Sequence, residues 1–267
     1  MDLNLQDKVA LVSGAHRGTG SEIARELARE GAHVLVHGFE AGQAAPVVED
    51  IRAGGGRADE VWGEIREDAG ADAVHRAAIE LAPRVDVLVN NYGVAEGGGW
   101  FRSDTADWID QYQKNVLSAV RLVEAFVPAM KETGWGRVVF LSTIGATRPA
   151  ARMAHYYAAK TALLAASVSL AQRLAGTGIT VNTVSPGLIA TDEVRAMIDR
   201  TAEREGITGT FEERERAAIE RIAPNPVGRA ARTDEVAALV AFLASERAGY
   251  IHGQNLRIDG GAVGVVS

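Results

Sequence analysis

The sequence predicts an α/β protein built on one doubly wound parallel sheet. Three observations carry this reading. Short β-branched runs recur along the chain, longer helical stretches fill the gaps, and the runs are apolar almost without interruption. Strands buried on both faces read this way, and their alternation with helices implies parallel strands joined by crossovers. In order, the runs are KVALVS from Lys8, HVLVH from His33, EVWGEI from Glu60, VDVLVN from Val85, RVVFLS from Arg137 and ITVNTVS from Ile179. GYIHGQNLRIDGG, from Gly249, closes the fold as a last strand and a glycine turn. No repeat or low-complexity stretch interrupts the pattern. The one run that reads as an insertion is the charged helical stretch from Asp192 to about Ala223, a candidate lid with a bend at Gly206 and Gly209.

Composition narrows the function classes. At 267 residues the chain fits one α/β domain, and 47% hydrophobic residues supply a sizeable core. With no cysteine there is neither a disulfide framework nor a thiolate metal site, and the six histidines show no ligand spacing. The start, MDLNLQDKVALVSG, lacks a basic leader followed by an apolar run, and nowhere do eighteen uninterrupted apolar residues occur. The expectation is a soluble, cytoplasmic protein. A net charge of −7 without a basic tract argues against nucleic acid and anionic membrane as partners and favours a small-molecule substrate.

In a doubly wound sheet, ligands bind beyond the carboxyl ends of the strands, so chemistry is sought just after each run. The first run is followed by SGAHRGTGSEIARELAREGA. Gly14, Gly18 and Gly20 allow a tight turn and a close approach to a pyrophosphate, while the helix behind them aims free N–H groups at the anion. Position between a first strand and a helix, with GAHVLV closing the unit, turns a weak glycine trio into a strong signal. VDVLVN ends in NNYG, and the helical stretch QYQKNVLSAVRL carries Asn115 in its interior, where asparagine is a mediocre helix former. RVVFLSTIGA places two hydroxyls, Ser142 and Thr143, at a strand end. AHYYAAK then sets two tyrosines ahead of Lys160, which on a helix reaches either Tyr156 or Tyr157. A nearby ammonium would lower a phenol's pKa and make it useful in proton transfer.

From Lys8 to Gly261 the chain resembles the short-chain dehydrogenase/reductase family in its compact, single-domain Rossmann-fold form. The resemblance is carried by T-G-x-x-x-G-x-G, here Ser13 to Gly20 with Ser for Thr, and by N-N-A-G, here with Tyr92 for Ala. A helical Asn, a hydroxyl before Y-x-x-x-K, then P-G-x-x-x-T and a terminal D-G-G follow in the family order. It implies that Tyr156 is the general acid/base, that Lys160 lowers its pKa and holds the cofactor ribose, and that Asn115 orders a water linking Lys160 to solvent. The carbonyl-polarising hydroxyl has two registers. The thirteen-residue interval to Tyr156 and the strand register favour Thr143, whereas the spacing to Gly145 favours Ser142.

The resemblance also implies a nicotinamide cofactor. Gly14, His16, Arg17, Gly18, Thr19 and Gly20 are expected at its phosphates. Gly38 and Phe39 are expected at its adenosine ribose, Glu64 and Ile65 at the adenine, Asn91 and Gly93 along its middle, and Pro186, Gly187, Ile189 and Thr191 at the nicotinamide. Thr191 equally suits the N-cap of the next helix. At the end of the second strand, where NAD-preferring enzymes carry an acidic residue, stands Gly38. Arg17 suits a 2′-phosphate, with His16 and His37 as further donors, so NADP(H) is favoured, while Glu40 keeps NAD(H) open. Trp100, Met153, Tyr157 and the lid are expected to line an apolar substrate pocket for a ketone or secondary alcohol. Reduction of 3-oxoacyl groups on a carrier protein ranks lower, because Thr177 stands where such enzymes often carry a basic residue. A non-catalytic NADP(H) sensor is the alternative of a different class. The family expectation for assembly is a homotetramer, or a homodimer.

Overall fold

The computed structural model describes residues 2–264. Seven strands form one parallel sheet: β1 (Val9–Val12), β2 (His33–Gly38), β3 (Arg57–Trp62), β4 (Val87–Asn90), β5 (Gly136–Leu141), β6 (Ile179–Pro186) and β7 (Asn255–Ile258). Their order is β3-β2-β1-β4-β5-β6-β7, the doubly wound arrangement expected. Every run singled out in the sequence overlaps a strand, with ends shifted by up to three residues or so. EVWGEI stops pairing at Trp62, so Glu64 lies in the loop beyond β3.

The connecting helices are α1 (Gly18–Arg29), α2 (Ala45–Ala53), α3 (Asp68–Leu81), α4 (Thr105–Tyr112), α5 (Ser118–Thr133), α6 (Ala154–Arg173), α7 (Asp192–Arg204), α8 (Phe211–Ile222) and α9 (Thr233–Ala244). Two apolar clusters fill the sheet's faces. One joins β1 and β2 to Ile23 and Leu27 of α1 and Val236 and Val240 of α9. The other joins Leu11, Leu35 and Leu88 to Val74 of α3, Leu122 and Phe126 of α5 and Leu163 of α6. β4, β5 and β6 are buried along their whole length, which is why they read as continuous apolar runs rather than alternating ones.

Arg137 is the charged exception inside β5. Its guanidinium donates to the carbonyls of Ser245, Gly136 and Gly178 and stacks 4.4 Å from the Trp135 ring. Burial depresses its pKa, and backbone carbonyls in place of a carboxylate hold the charge. Among the described residues no helix is long and apolar enough to cross a membrane.

The stretch containing Asn115 is not regular α-helix. Gln113–Leu117 forms a π turn between α4 and α5, the kind of bulge that re-aims a side chain within a helix. The Asp192–Ala223 segment forms the two helices α7 and α8, joined where Gly206 and Gly209 both adopt positive φ.

Candidate active site

The strand order reverses between β1 and β4, and a cleft of about 710 Å³ opens there beyond the carboxyl ends of the strands. Gly14 and Gly18 hold φ of 61° and 59°, a left-handed conformation that costs glycine little. A Cβ on Gly20 would lie 2.7 Å from the Gly14 carbonyl oxygen, so the turn closes only around glycine. The Asn91 amide donates to the carbonyls of Ser13 and Gly14 at 2.9 and 3.3 Å and fixes the loop from the β4 side.

His37 fixes it from the β2 side. The Gly14 N–H donates to His37 Nδ1 at 3.0 Å, so the ring proton sits on Nε2, which donates to the Gly63 carbonyl at 3.0 Å. Burial holds this imidazole neutral, its pKa lowered to about 4. The expectation that His37 would meet a 2′-phosphate is therefore corrected: both ring nitrogens are engaged with backbone and the side chain is fully buried.

Of the residues expected at a cofactor, Gly14, His16, Arg17, Gly18, Thr19, Gly20, Phe39, Asn91, Gly93, Tyr156, Lys160, Pro186, Ile189 and Thr191 line this cleft. The others stand elsewhere. Ile65 is fully buried in the core, so only its backbone is available to a ligand. Glu64 accepts from Arg66 Nε at 2.7 Å and from the Arg66 N–H at 3.1 Å, and this pairing holds its carboxyl below the usual range. Gly38 packs against Gln43 at the end of β2. Gly187 lines the neighbouring cavity. The Thr191 hydroxyl accepts from the Val194 N–H at 3.5 Å, so it caps α7 while still lining the cleft.

Sequence reading missed Gln43, Arg66, Tyr92 and Glu193, which also line the cleft. Tyr92 carried a signal as the one departure from N-N-A-G. Its ring packs edge-on to Phe39 with centroids 4.8 Å apart, and Phe39 in turn meets His16 and His37. Glu193 carried none. It pairs with Arg17 at 3.0 Å, joining the glycine loop to α7, with side chains 65% and 73% exposed. An ion pair so open contributes less than about 1 kcal/mol.

At the inner end of the cleft Lys160 is fully enclosed. Its ammonium donates to the Leu141 carbonyl at 2.9 Å, and burial brings its pKa down to about 8. A Cβ on Gly93 would fall 2.5 Å from Lys160 Nζ and 2.7 Å from Asn115 Oδ1, so glycine here lets three groups converge. Asn115 Oδ1 accepts from the Val94 N–H at 3.0 Å, and its Nδ2 donates to the Val94 and Gln111 carbonyls, each at 3.1 Å. These bonds pin the chain after β4 to the π turn.

Tyr156 lies on the first turn of α6. Burial, reinforced by Tyr157 with its ring centroid 5.5 Å away, raises the phenol's pKa, against a hydrogen bond from Thr143 that lowers it. The expected lowering by Lys160 is not realised in this arrangement, because the lysine faces Leu141 and its own charge is disfavoured by burial. Thr143 meets the phenol, whereas the Ser142 hydroxyl donates into α6 at the Lys160 carbonyl, 3.2 Å away. Gly145 has a different origin from the one its spacing implied: the Tyr157 ring occupies the space its Cβ would need.

A second cavity of about 540 Å³ adjoins Tyr156 and Thr143 and is lined by Met153, Tyr157, Leu188, Val194 and Ile222 among others. Trp100, expected there, is instead 65% exposed and packs on Trp108 with ring centroids 5.2 Å apart.

A glycine-turned cleft at the sheet's switch point, ending at a buried lysine and a tyrosine shared with a second cavity, defines an oxidoreductase of the dinucleotide-binding class. The profile of the family described as enoyl-(acyl carrier protein) reductase matches residues 14–263. The chain is 36% identical over 264 residues to the uncharacterised oxidoreductase YvaG of Bacillus subtilis (strain 168), covering 98% of each. It is 34% identical over 259 residues to the 3-oxoacyl-[acyl-carrier-protein] reductase FabG of Escherichia coli (strain K12), covering 97% of this chain and 98% of that one. L-sorbose reductase from Gluconobacter frateurii, solved with NADPH and L-sorbose, superposes with a TM-score of 0.92 at 28% identity over the full length of both. The chain belongs to the short-chain dehydrogenase/reductase family and is an oxidoreductase of ketone and alcohol groups.

Lys160→Met tests the enclosure of the lysine. Its folded pKa of about 8 lies below its ordinary 10.5, so the folded state carries a disfavoured charge at neutral pH. Removing that charge should raise unfolding stability at pH 7 by on the order of 1–3 kcal/mol. Between about pH 8 and 10.5 the folded wild type has lost the proton that the unfolded chain retains, so the wild type gains stability as pH rises and the variant's advantage shrinks. Denaturant unfolding of both proteins at pH 7 and pH 10 checks this.

Proposed function

We propose that this chain is an NADP(H)-dependent reductase of a small ketone, running in reverse as an alcohol dehydrogenase. The observation that carries the reading is the Tyr156 phenol beside the Thr143 hydroxyl, where the glycine-lined cleft meets the second cavity. The cleft suits a dinucleotide: its turn excludes any Cβ at Gly20, the α1 N-terminus opens into it, and Arg17 and Arg66 border it. The absence of a carboxylate at Gly38 and the presence of Arg17 favour the 2′-phosphorylated form. The relatives agree, since L-sorbose reductase is described with NADPH.

When bound, the cofactor supplies or accepts a hydride. The remaining work falls to the chain. Thr143 donates a hydrogen bond to the carbonyl oxygen and polarises it. Tyr156, kept protonated by its raised pKa, gives its proton to that oxygen as charge develops there, and takes it back from the alcohol in reverse. The Thr143 hydroxyl stabilises the phenolate left behind, and Lys160, charged below about pH 8, is placed to hold the cofactor ribose. Asn115 positions Gly93 and Val94 beside them. Arg17 and, across the cleft, Thr191 hold the cofactor's two ends, while Phe39 offers an apolar wall to the adenosine. α7 and α8 close over the substrate as a lid, with Gly206 and Gly209 as the bend. The protein works in the cytoplasm as a homotetramer, the usual assembly of this family.

Tyr156→Phe should remove nearly all turnover of NADPH with a reducible ketone while cofactor affinity holds, and Tyr157→Phe should cost little. Thr143→Val should lower kcat/KM by roughly 10²–10³, the usual loss for one oxyanion-type donor, with Ser142→Ala far milder. Steady-state kinetics on the four variants with one substrate decides both pairs. The reverse order in either would reassign that role.

Arg17→Ala should weaken NADPH more than NADH by roughly 1.5–3 kcal/mol, the worth of a charge-assisted contact. Glu193→Gln frees Arg17 from its ion pair and should tighten NADPH slightly. Fluorescence titration of both cofactors checks these. Equal losses for the two cofactors, or a wild-type preference for NADH, would contradict the NADP assignment.

A further inference from the structure

The cavity that adjoins Tyr156 and Thr143 is apolar over most of its wall, with three formally charged residues on it: Arg148, Arg152 and Asp259. The acid is already engaged. Asp259 Oδ1 accepts from the Gly261 N–H at 3.0 Å and Oδ2 from the Val263 N–H at 3.1 Å, and these bonds shape the last glycine turn. The two arginines are not engaged in this way, and both are exposed to solvent. The Arg148 guanidinium donates to the Ala262 carbonyl at 3.0 Å, both arginines line the cavity, and among the described residues neither has an acidic partner.

The backbone fixes Arg152 in relation to the reacting tyrosine. Arg152 forms an isolated antiparallel bridge with Gly99, and the Met153 N–H donates to the Gly98 carbonyl at 2.6 Å. Met153 itself holds φ 63° and ψ 36°, a left-handed conformation unfavourable for a side-chain-bearing residue. Strain of this kind persists where the surroundings over-determine it, and it clusters at functional sites. Here it separates Arg152 from α6 by one residue and starts the turn that carries Tyr156.

We infer that this cavity selects carbonyl compounds bearing an anionic group, carboxylate or phosphate, and that Arg148 and Arg152 are the residues that select it. The inference rests on Tyr156 and Thr143 being the reacting groups, and it adds the substrate's charge class to that reading. Guanidinium forks bind carboxylate and phosphate through paired charge-assisted hydrogen bonds, so each arginine should be worth roughly ten-fold in affinity.

The test uses the full-length protein and matched pairs of reactants: acetoacetate with its methyl ester, 4-oxopentanoate with its methyl ester, and dihydroxyacetone phosphate with dihydroxyacetone. In NADPH-oxidation assays the anion of at least one pair should exceed its neutral partner in kcat/KM by roughly ten-fold. Arg148→Gln and Arg152→Gln should each cut that ratio, chiefly through KM. Preference within the acid pairs identifies carboxylate as the group read, and preference within the phosphate pair identifies phosphate. Equal or better use of the neutral members in every pair would overturn the inference, as would a ratio that survives both substitutions or good turnover of an acetoacetyl thioester without preference among the free anions. Calorimetric titration of the protein with NADP and butanoate, against butanamide, separates selection from chemistry. Arginine-dependent binding of butanoate without turnover of any ketone would uphold the anion site and defeat the reaction assigned to Tyr156. No turnover and no anion preference in binding would defeat the anion site as well.

Discussion

Much of this site depends on where one ammonium group is held. Lys160 is fully enclosed, and its hydrogen bond to the Leu141 carbonyl ties the middle of the sheet to the helix that carries Tyr156. A buried cation needs a strong acceptor and a close-fitting wall, and both shape the surrounding sequence. The acceptor is the last carbonyl of β5, so the strand must end where α6 passes over it. The wall includes Gly93, where any side chain would collide with the lysine. Asn115 then holds the Gly93–Val94 segment in place, and the π turn aims Asn115 at it. Three motifs far apart in the chain thus meet one requirement.

The outer half of the site is organised by backbone rather than by charge. Gly14, Gly18 and Gly20 make the turn possible, but its position comes from two stitches, the Asn91 amide from β4 and the neutral imidazole of His37 from β2. The strands on either side of β1 therefore hold the loop that follows it. Arg17 stands above this frame in an exposed pair with Glu193. A rigid cradle with a loosely held charge at its rim suits an anion that must bind and leave. The same contrast recurs in the second cavity, where a pinned and strained backbone presents two arginines that have no acidic partner among the described residues.

The fold was legible because burial on both faces makes the strands continuous apolar runs, and the glycine spacing marked the switch point. Of the site, the residues that act through backbone geometry or a fixed interval were readable: Gly14, Gly20, Gly93 and Lys160. Periodicity could not separate Tyr156 from Tyr157, since both lie within helical reach of Lys160, and the family resemblance was needed. Residues whose roles depend on tertiary packing were not readable. In sequence Gly145 reads as a register mark for Ser142, yet it answers to the Tyr157 ring. His37 looked like an exposed donor at a strand end but is buried between two backbone groups. Trp100 looked like a pocket wall and faces outward. Arg66, Glu193 and Arg152 reach their cavities across gaps that no local pattern encodes.

The enclosure of Lys160 can be measured without any substrate. The chain has four lysines, so a protein labelled at lysine Cε gives four resolvable side-chain signals for a pH titration by NMR. One signal, absent from the Lys160→Met variant, should titrate near pH 8. If that signal instead titrates near the ordinary lysine value of about 10.4, the ammonium is solvated, and the account of a site assembled around a buried charge fails.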